Sequence, residues 1–333
     1  MKILFLILFC LPLEAATYLF EPLPTSVPIP ADNPQTHDKI VLGSQLFFDP
    51  RISKNGQVSC TTCHSIAGSG ENNLAYSTKP NGKHSLHTVP TVWNAAFLNR
   101  LFWYGSAGSL EEQAEGPLEE MGLGSLDEIT KRVAAIPQYA ATFATIFPGE
   151  PIKMANITKV IASYERTLIT PNSPYDRFLR GDIHAISGDA VKGMAIFETI
   201  GCISCHSGPM LDGGSRFEKF PQFPGSPYDA KYHLNEDPGR FNETNQESDR
   251  GFWRVAPLRN IALTAPYFHN GSVTTLEEAV TVMAKTQLNR ELTDVEVHEL
   301  VSFLGSLTGE FGERKLPRLP DLPSLNDFPA VAP

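Results

Sequence analysis

The chain has 333 residues, 41% of them hydrophobic and 19% charged, which is enough apolar material for two ordinary cores and too much for a disordered chain. Its formal charge of −10 and pI of about 5.4 disfavour nucleic acid as a partner and suit a protein with a basic docking face.

The opening stretch MKILFLILFCLPLEAA carries Lys2, an apolar run from Ile3 to Leu13 and the small residues Ala15 and Ala16. So short a run reads as a secretory signal over residues 1–16 rather than a membrane span. The Pro-rich lead EPLPTSVPIPADNP predicts an extended arm. A short helical pattern with Gly43 and Phe47 then leads into Cys60-x-x-Cys63-His64. Ile157, Val160, Ile161, Tyr164 and Leu168 fall on one face of a later helix. Prolines between Thr170 and Asp182 mark a boundary, so a first domain is expected over 17–170 and a second over 171–310.

The second half repeats the grammar of the first: Gly193 and Phe197 precede Cys202-x-x-Cys205-His206, a weak internal repeat that suggests two related modules. Gly208 to Arg240 reads as loop. Thr275 with Glu278 and Thr293 with Glu296 form capping-box patterns that start two late helices. Val297, Leu300, Val301, Leu304 and Leu307 make a last apolar stripe, and residues 311–333 form a tail expected to pack back on the first domain. The fold class is mainly α, with long loops.

Of five cysteines, Cys10 leaves with the signal and the two Cys-x-x-Cys-His units consume the rest. Zinc asks for four ligands in a tetrahedron, and a His directly after the second Cys competes with it for the same side of the metal. A dithiol redox site gives that His no necessary role. Covalent haem attachment uses all three residues: the thiols add to the vinyl groups and the turn aims the His at the iron. Two c-type haems are therefore expected, on Cys60, Cys63 and His64 and on Cys202, Cys205 and His206. The two modules should each be cytochrome-c-like.

With these motifs placed, further strings carry a resemblance over nearly the whole mature length: PTVWNAAF (Pro90 to Phe97), FWYG (Phe102 to Gly105), LEEQAEGPLEEMG (Leu110 to Gly122), VAPLRNIALTAPYFHNGSVTTLEEAVTVM (Val255 to Met283) and LVSFLGSLTG. The chain resembles the bacterial dihaem cytochrome c peroxidase family. That resemblance implies a periplasmic enzyme that reduces hydrogen peroxide at the haem on His64, with electrons passed from a small cytochrome c or copper protein to the haem on His206. It makes Met283 the second ligand of the latter haem, although Leu276, Ala279, Val280 and Met283 also form a stripe that fits plain core. It makes Gln113 and Glu120 the groups that handle peroxide. The Gly-Pro to Glu-Met interval is shorter here than in the family, so Glu119 stands beside Glu120 for the role. Trp103 matches the Trp between the haems, and His269 a His near them. A calcium ion is implied on the carbonyls of Thr264 and Pro266, with Thr88 where the family has an Asn donor. His84 and His87 lie in the loop that carries a resting-state ligand of the first haem in some members, yet neither aligns, and no ligand there is the third option. A homodimer is left open, as are two other functions: a dihaem oxidase that modifies tryptophans of a partner, against which Met283 argues, and a dihaem electron carrier.

Overall fold

The computed structural model describes residues 19–79 and 81–321. The expected signal with Cys10, and residues 322–333 of the tail, lie outside the described residues. Helices dominate the remainder, because the apolar stripes bury themselves against one another in pairs.

In the first half these helices are α1 (His37–Phe48), α2 (Cys60–Cys63), α3 (Leu110–Met121), α4 (Leu126–Ala135), α5 (Pro137–Ile146) and α6 (Met154–Glu165). Thr36 caps α1, its hydroxyl accepting from the Lys39 N–H. Leu42, Leu46 and Phe47 of α1 pack in one core with Ile157, Val160, Ile161 and Tyr164 of α6. The two helices cross at Gly43, where an added Cβ would stand 1.8 Å from the Val160 carbonyl oxygen.

The second half contains α7 (Pro174–Leu179), α8 (Gly188–Thr199), α9 (Pro227–Lys231), α10 (Phe241–Thr244), α11 (Leu276–Leu288) and α12 (Asp294–Gly305). A two-stranded antiparallel ribbon joins β1 (Phe217–Lys219) to β2 (Phe252–Arg254), with Phe217 opposite Arg254. Here α8 crosses α12 at Gly193, whose added Cβ would stand 1.9 Å from the Glu299 carbonyl oxygen. The weak repeat of the sequence is thus the same construction made twice. Thr293 and Glu296 form the reciprocal box at the start of α12. At α11 only half the pattern forms. Thr275 caps the Glu278 N–H, but the Glu278 carboxylate turns away to Tyr232 and Lys231.

Two chain ends cross between the halves. Phe20 of the arm sits among the rings of Tyr175, Phe197 and Phe303 in the second core, with centroids 6.3, 6.3 and 6.0 Å away. The next turn of chain is held by the Leu23 N–H on Asp176, itself in a fully buried ion pair with Arg259 at 2.8 Å. In the other direction Phe311 packs edge-on against Trp93, and Arg51 donates to the Pro320 carbonyl. Between the halves, buried Asn94 and Asn260 both donate side-chain N–H groups to the Thr170 hydroxyl, at 2.8 and 2.9 Å. Every member of that network has a partner, which is the condition for a buried polar cluster to stiffen a joint.

The crossing of α8 and α12 gives a direct check. Gly193→Ala is expected to destabilise the protein by roughly 2 kcal/mol or more, because backbone cannot yield as a side chain does. Gly305→Ala, where nothing lies within 4 Å, should be neutral or slightly stabilising. Denaturant midpoints of the two variants decide it, and equal midpoints would mean the helices do not approach this closely.

Candidate active site

Each Cys-x-x-Cys-His unit starts on a short helical turn that follows the crossing helix. At the first, α2 holds Cys60 and Cys63, and the Ser59 N–H donates to the Thr62 hydroxyl at 3.0 Å. The His64 ring lies 6.5 Å from Phe47, and its Nδ1–H donates to the Gly70 carbonyl at 3.0 Å. At the second, a 3-10 turn over Cys202–Ser204 holds the cysteines. The His206 ring lies 6.4 Å from Phe197 and its Nδ1–H donates to the Leu211 carbonyl at 2.9 Å. Burial lowers the pKa of both imidazoles, which favours the neutral ring, and with Nδ1–H on a carbonyl the lone pair of that ring lies on Nε2. That is the state a metal-ligating His requires.

The four cysteines are all unpaired. Burial pushes the Cys60 thiol strongly up, and the Cys202 thiol to about 12. A cavity of about 450 Å³ adjoins the second unit and is lined by Cys202, Cys205, His206 and Met283, with a mostly apolar wall. A site of that size and character fits a porphyrin-sized cofactor.

The two halves correspond beyond the motifs. Asn94 and Asn260, and Phe102 and Phe268, adopt the same left-handed backbone. The isolated bridges Leu101 to Ala107 and Tyr267 to Val273 follow each. The helices after them, α3 and α11, begin at equivalent caps, Ser109 and Thr275. Counted from those caps, Met283 and Pro117 hold the same position. The stripe Leu276, Ala279, Val280 and Met283 forms a wall of the cavity shared with His206. On α3, Gln113, Pro117 and Glu120 share a face at helical spacing.

Glu120 pairs with Lys79 at 2.6 Å while remaining about half exposed, and its charge helps burial push the Cys63 thiol up. It therefore stands beside the first unit. Glu119 is exposed, its carbonyl accepting from Gly124. Trp103 lines the second cavity and donates its indole N–H to the Thr88 carbonyl at 2.9 Å. His269, Thr264 and Pro266 line the same cavity, as does the buried carboxylate of Glu71. Thr88 turns its hydroxyl to the Phe268 carbonyl. His87 is engaged by Asp237 and Tyr104, and His84 lies exposed against Tyr76.

A family model described as di-haem cytochrome c peroxidase matches residues 37–184, and one described as RoxA-like, cytochrome c-like matches residues 253–288. The cytochrome c551 peroxidase of Nitrosomonas europaea is 42% identical over 308 residues, covering 92% of this chain and 90% of that protein. The chain belongs to the di-haem cytochrome c peroxidase family. The cytochrome c551 peroxidase of Pseudomonas aeruginosa is 38% identical, covering 92% and 89%. Among solved structures, a MauG-like protein associated with microbial copper homeostasis superposes with a TM-score of 0.75 at 29% identity, covering 86% of this chain and 95% of that one. Membership of this family brings haem as the cofactor and a mainly helical fold with cytochrome-c-like domains.

Sequence reasoning passed over one acid at the first unit. Glu165 ends α6, is 6% exposed, and has an oxygen, Oε2, with no hydrogen-bond partner among the described residues. Burial raises its pKa to about 8, and its charge in turn helps raise the Cys60 thiol. Its position four residues after Ile161, on the apolar face, was the available signal. A carboxyl that is protonated in the folded state and ionised in the unfolded one stabilises at low pH, and this contribution is lost as pH rises toward the folded value. Glu165 and the buried Glu71, which burial also raises to about 8, should together make the unfolding free energy fall between about pH 5 and about pH 8. Glu165→Gln should flatten that slope in urea titrations. An undiminished slope in the variant would place the pH dependence elsewhere.

Proposed function

We propose that this protein reduces hydrogen peroxide to water with electrons from a small redox protein, in the periplasm, as a cytochrome c peroxidase. One correspondence carries the reading: counted from equivalent helix caps, the position that holds the Met283 thioether on α11 holds Pro117 on α3. Met283 offers sulfur to the site of His206, whereas Pro117 has no donor atom for the site of His64. The first site is then open to a small substrate, and the second is saturated. Bound on Cys60, Cys63 and His64 and on Cys202, Cys205 and His206, the haems supply electron transfer at the second site and O–O bond cleavage at the first.

The residues of the chain do the rest. His64 and His206 are held in one tautomer by the Gly70 and Leu211 carbonyls, so their Nε2 atoms need no reorganisation to bind metal. Gln113, one helical turn before Pro117, orients peroxide through its amide. Glu120 takes a peroxide proton and returns it to the leaving oxygen, the work of a positioned general acid and base. Its ion pair with Lys79 is half exposed and so costs little to open. Trp103, anchored on the Thr88 carbonyl, provides the aromatic step between the two sites. A thioether at the second site raises its potential, which directs incoming electrons there. Calcium belongs to the same reading: Thr264, Pro266 and Glu71 line one cavity, and carbonyl and carboxylate oxygens are the hard donors this ion takes. The acidic surface suits a donor protein with a basic face.

Three substitutions test the division of labour. Met283→Leu conserves volume and should leave the fold within about 1.5 kcal/mol of the parent, while abolishing the sulfur-to-iron charge-transfer band and lowering one of the two reduction potentials. An unchanged spectrum would make Met283 a core residue. Glu120→Gln should cut peroxide turnover by roughly 10² or more while electron uptake at the second site survives. Glu119→Gln, measured beside it, should turn over normally. If both variants match the parent, the electron-carrier reading takes over.

A further inference from the structure

A cluster of aromatic and acid–base groups beside the second cavity is not used by this mechanism. Tyr104 follows Trp103 directly, and its hydroxyl donates to Asp237 Oδ2 at 2.9 Å. The same hydroxyl accepts from Asn242 Nδ2 at 2.9 Å. Asp237 also meets His87 Nε2 at 2.9 Å and accepts from the Asn242 side chain and the Gly239 N–H. The Tyr104 ring lies 5.5 Å from that of Trp253. Trp253 in turn stacks on His269 with centroids 4.0 Å apart and planes 24° from parallel. Trp253, His269 and Trp103 all line the cavity that holds His206 and Met283.

The two oxidisable rings differ in one respect. Trp253 is 5% exposed and its indole N–H has no hydrogen-bond partner among the described residues. Packing is close at that edge, since a Cβ on Gly239 would lie 3.1 Å from the indole nitrogen. With no acceptor, an oxidised Trp253 keeps its charge in an apolar setting, which is costly. Tyr104 has a carboxylate aligned to take its proton. An oxidised phenol is a strong acid, so even a carboxylate held below its usual range can accept the proton. Against the pull of burial, hydrogen bonds from His87, Gly239 and Tyr104 hold Asp237 there. Burial keeps the resting phenol protonated, and keeps His269 neutral at about 4, so the stacked imidazole adds no charge to the path.

We propose that Tyr104 is a proton-coupled redox site, with Trp253 as its conduit to the haem cavity and Asp237 as its proton acceptor. It rests on the peroxidase reading above. Peroxide takes two electrons and two protons to become two waters. When the second haem has no electron to give, Tyr104 would supply one of the two and the haem iron held at the first site the other: the Tyr104 O–H bond breaks, its electron leaves through Trp253, and its proton passes to Asp237. A later electron from the donor protein, with the proton returned from Asp237, restores the phenol. The oxidising equivalent is thereby parked on a named ring and kept from damaging the protein at random.

The test mixes fully oxidised holoprotein with one equivalent of hydrogen peroxide, without donor, and freezes it for electron paramagnetic resonance. A tyrosyl signal that is reshaped by ring-deuterated tyrosine and lost in Tyr104→Phe supports the assignment. Asp237→Asn should shorten the life of that signal by about 10² or more, the scale of losing a positioned base. The isotope arm needs no substitution, so it stands even if a variant folds poorly. A signal that survives Tyr104→Phe, one reshaped by deuterated tryptophan instead, or peroxide consumption with no protein radical would overturn the proposal and leave the peroxidase intact. Failure to consume peroxide even with reduced donor present would overturn both.

Discussion

Each half of this molecule depends on two helices that approach until only a hydrogen atom fits between their backbones. At Gly43 the obstacle is the Val160 carbonyl, and at Gly193 it is the Glu299 carbonyl. Interiors are packed too densely for such a contact to drift, so each crossing fixes the helix that leads into a Cys-x-x-Cys-His unit. Four residues after each glycine, one helical turn, a phenylalanine reaches the ring of the unit's histidine. A backbone carbonyl then sets the tautomer. Orientation of both histidines is thus inherited from a helix crossing.

Building the same frame twice lets the protein assign different chemistry to equivalent places. The caps at Ser109 and Thr275 start α3 and α11 in the same register, and from there the side chains diverge. One helix carries Met283 into an apolar wall. The other carries Pro117 between Gln113 and Glu120 on a partly exposed face. The contrast is one of composition rather than backbone.

The halves are then tied together by crossed ends and by polar contacts that are fully satisfied. The Arg259–Asp176 pair is buried, but the Leu23 N–H, the Ser173 hydroxyl, and the Pro209 and Glu21 carbonyls share its charges. Such a pair contributes specificity more than net stability. It places the arm, and through the arm Phe20, in the second core. Trp103 and Tyr104 likewise belong to the first half by sequence and pack against the second core by position. Electrons that move between the halves meet a joint built from both.

By itself the sequence determined the local features: the two Cys-x-x-Cys-His units, the helical stripe from Ile157 to Leu168, the cap at Thr293, and the strings that mark the family. These depend on spacing and side-chain type within a few residues, and short-range rules read them directly. Tertiary structure decided what depends on contacts between distant segments. The Thr275 and Glu278 pattern looked like a full capping box, but Tyr232 and Lys231 compete for the carboxylate. Glu165 became a buried acid only because α6 turns that face toward Cys60. The weak glycine repeat acquired a reason when each glycine met a carbonyl more than a hundred residues away. His87 was drawn to Asp237, and Trp253 was left without an acceptor, by loops whose paths no periodicity encodes. Local propensity fixes which elements form; desolvation and close packing between elements fix which groups are charged, paired or exposed to a substrate.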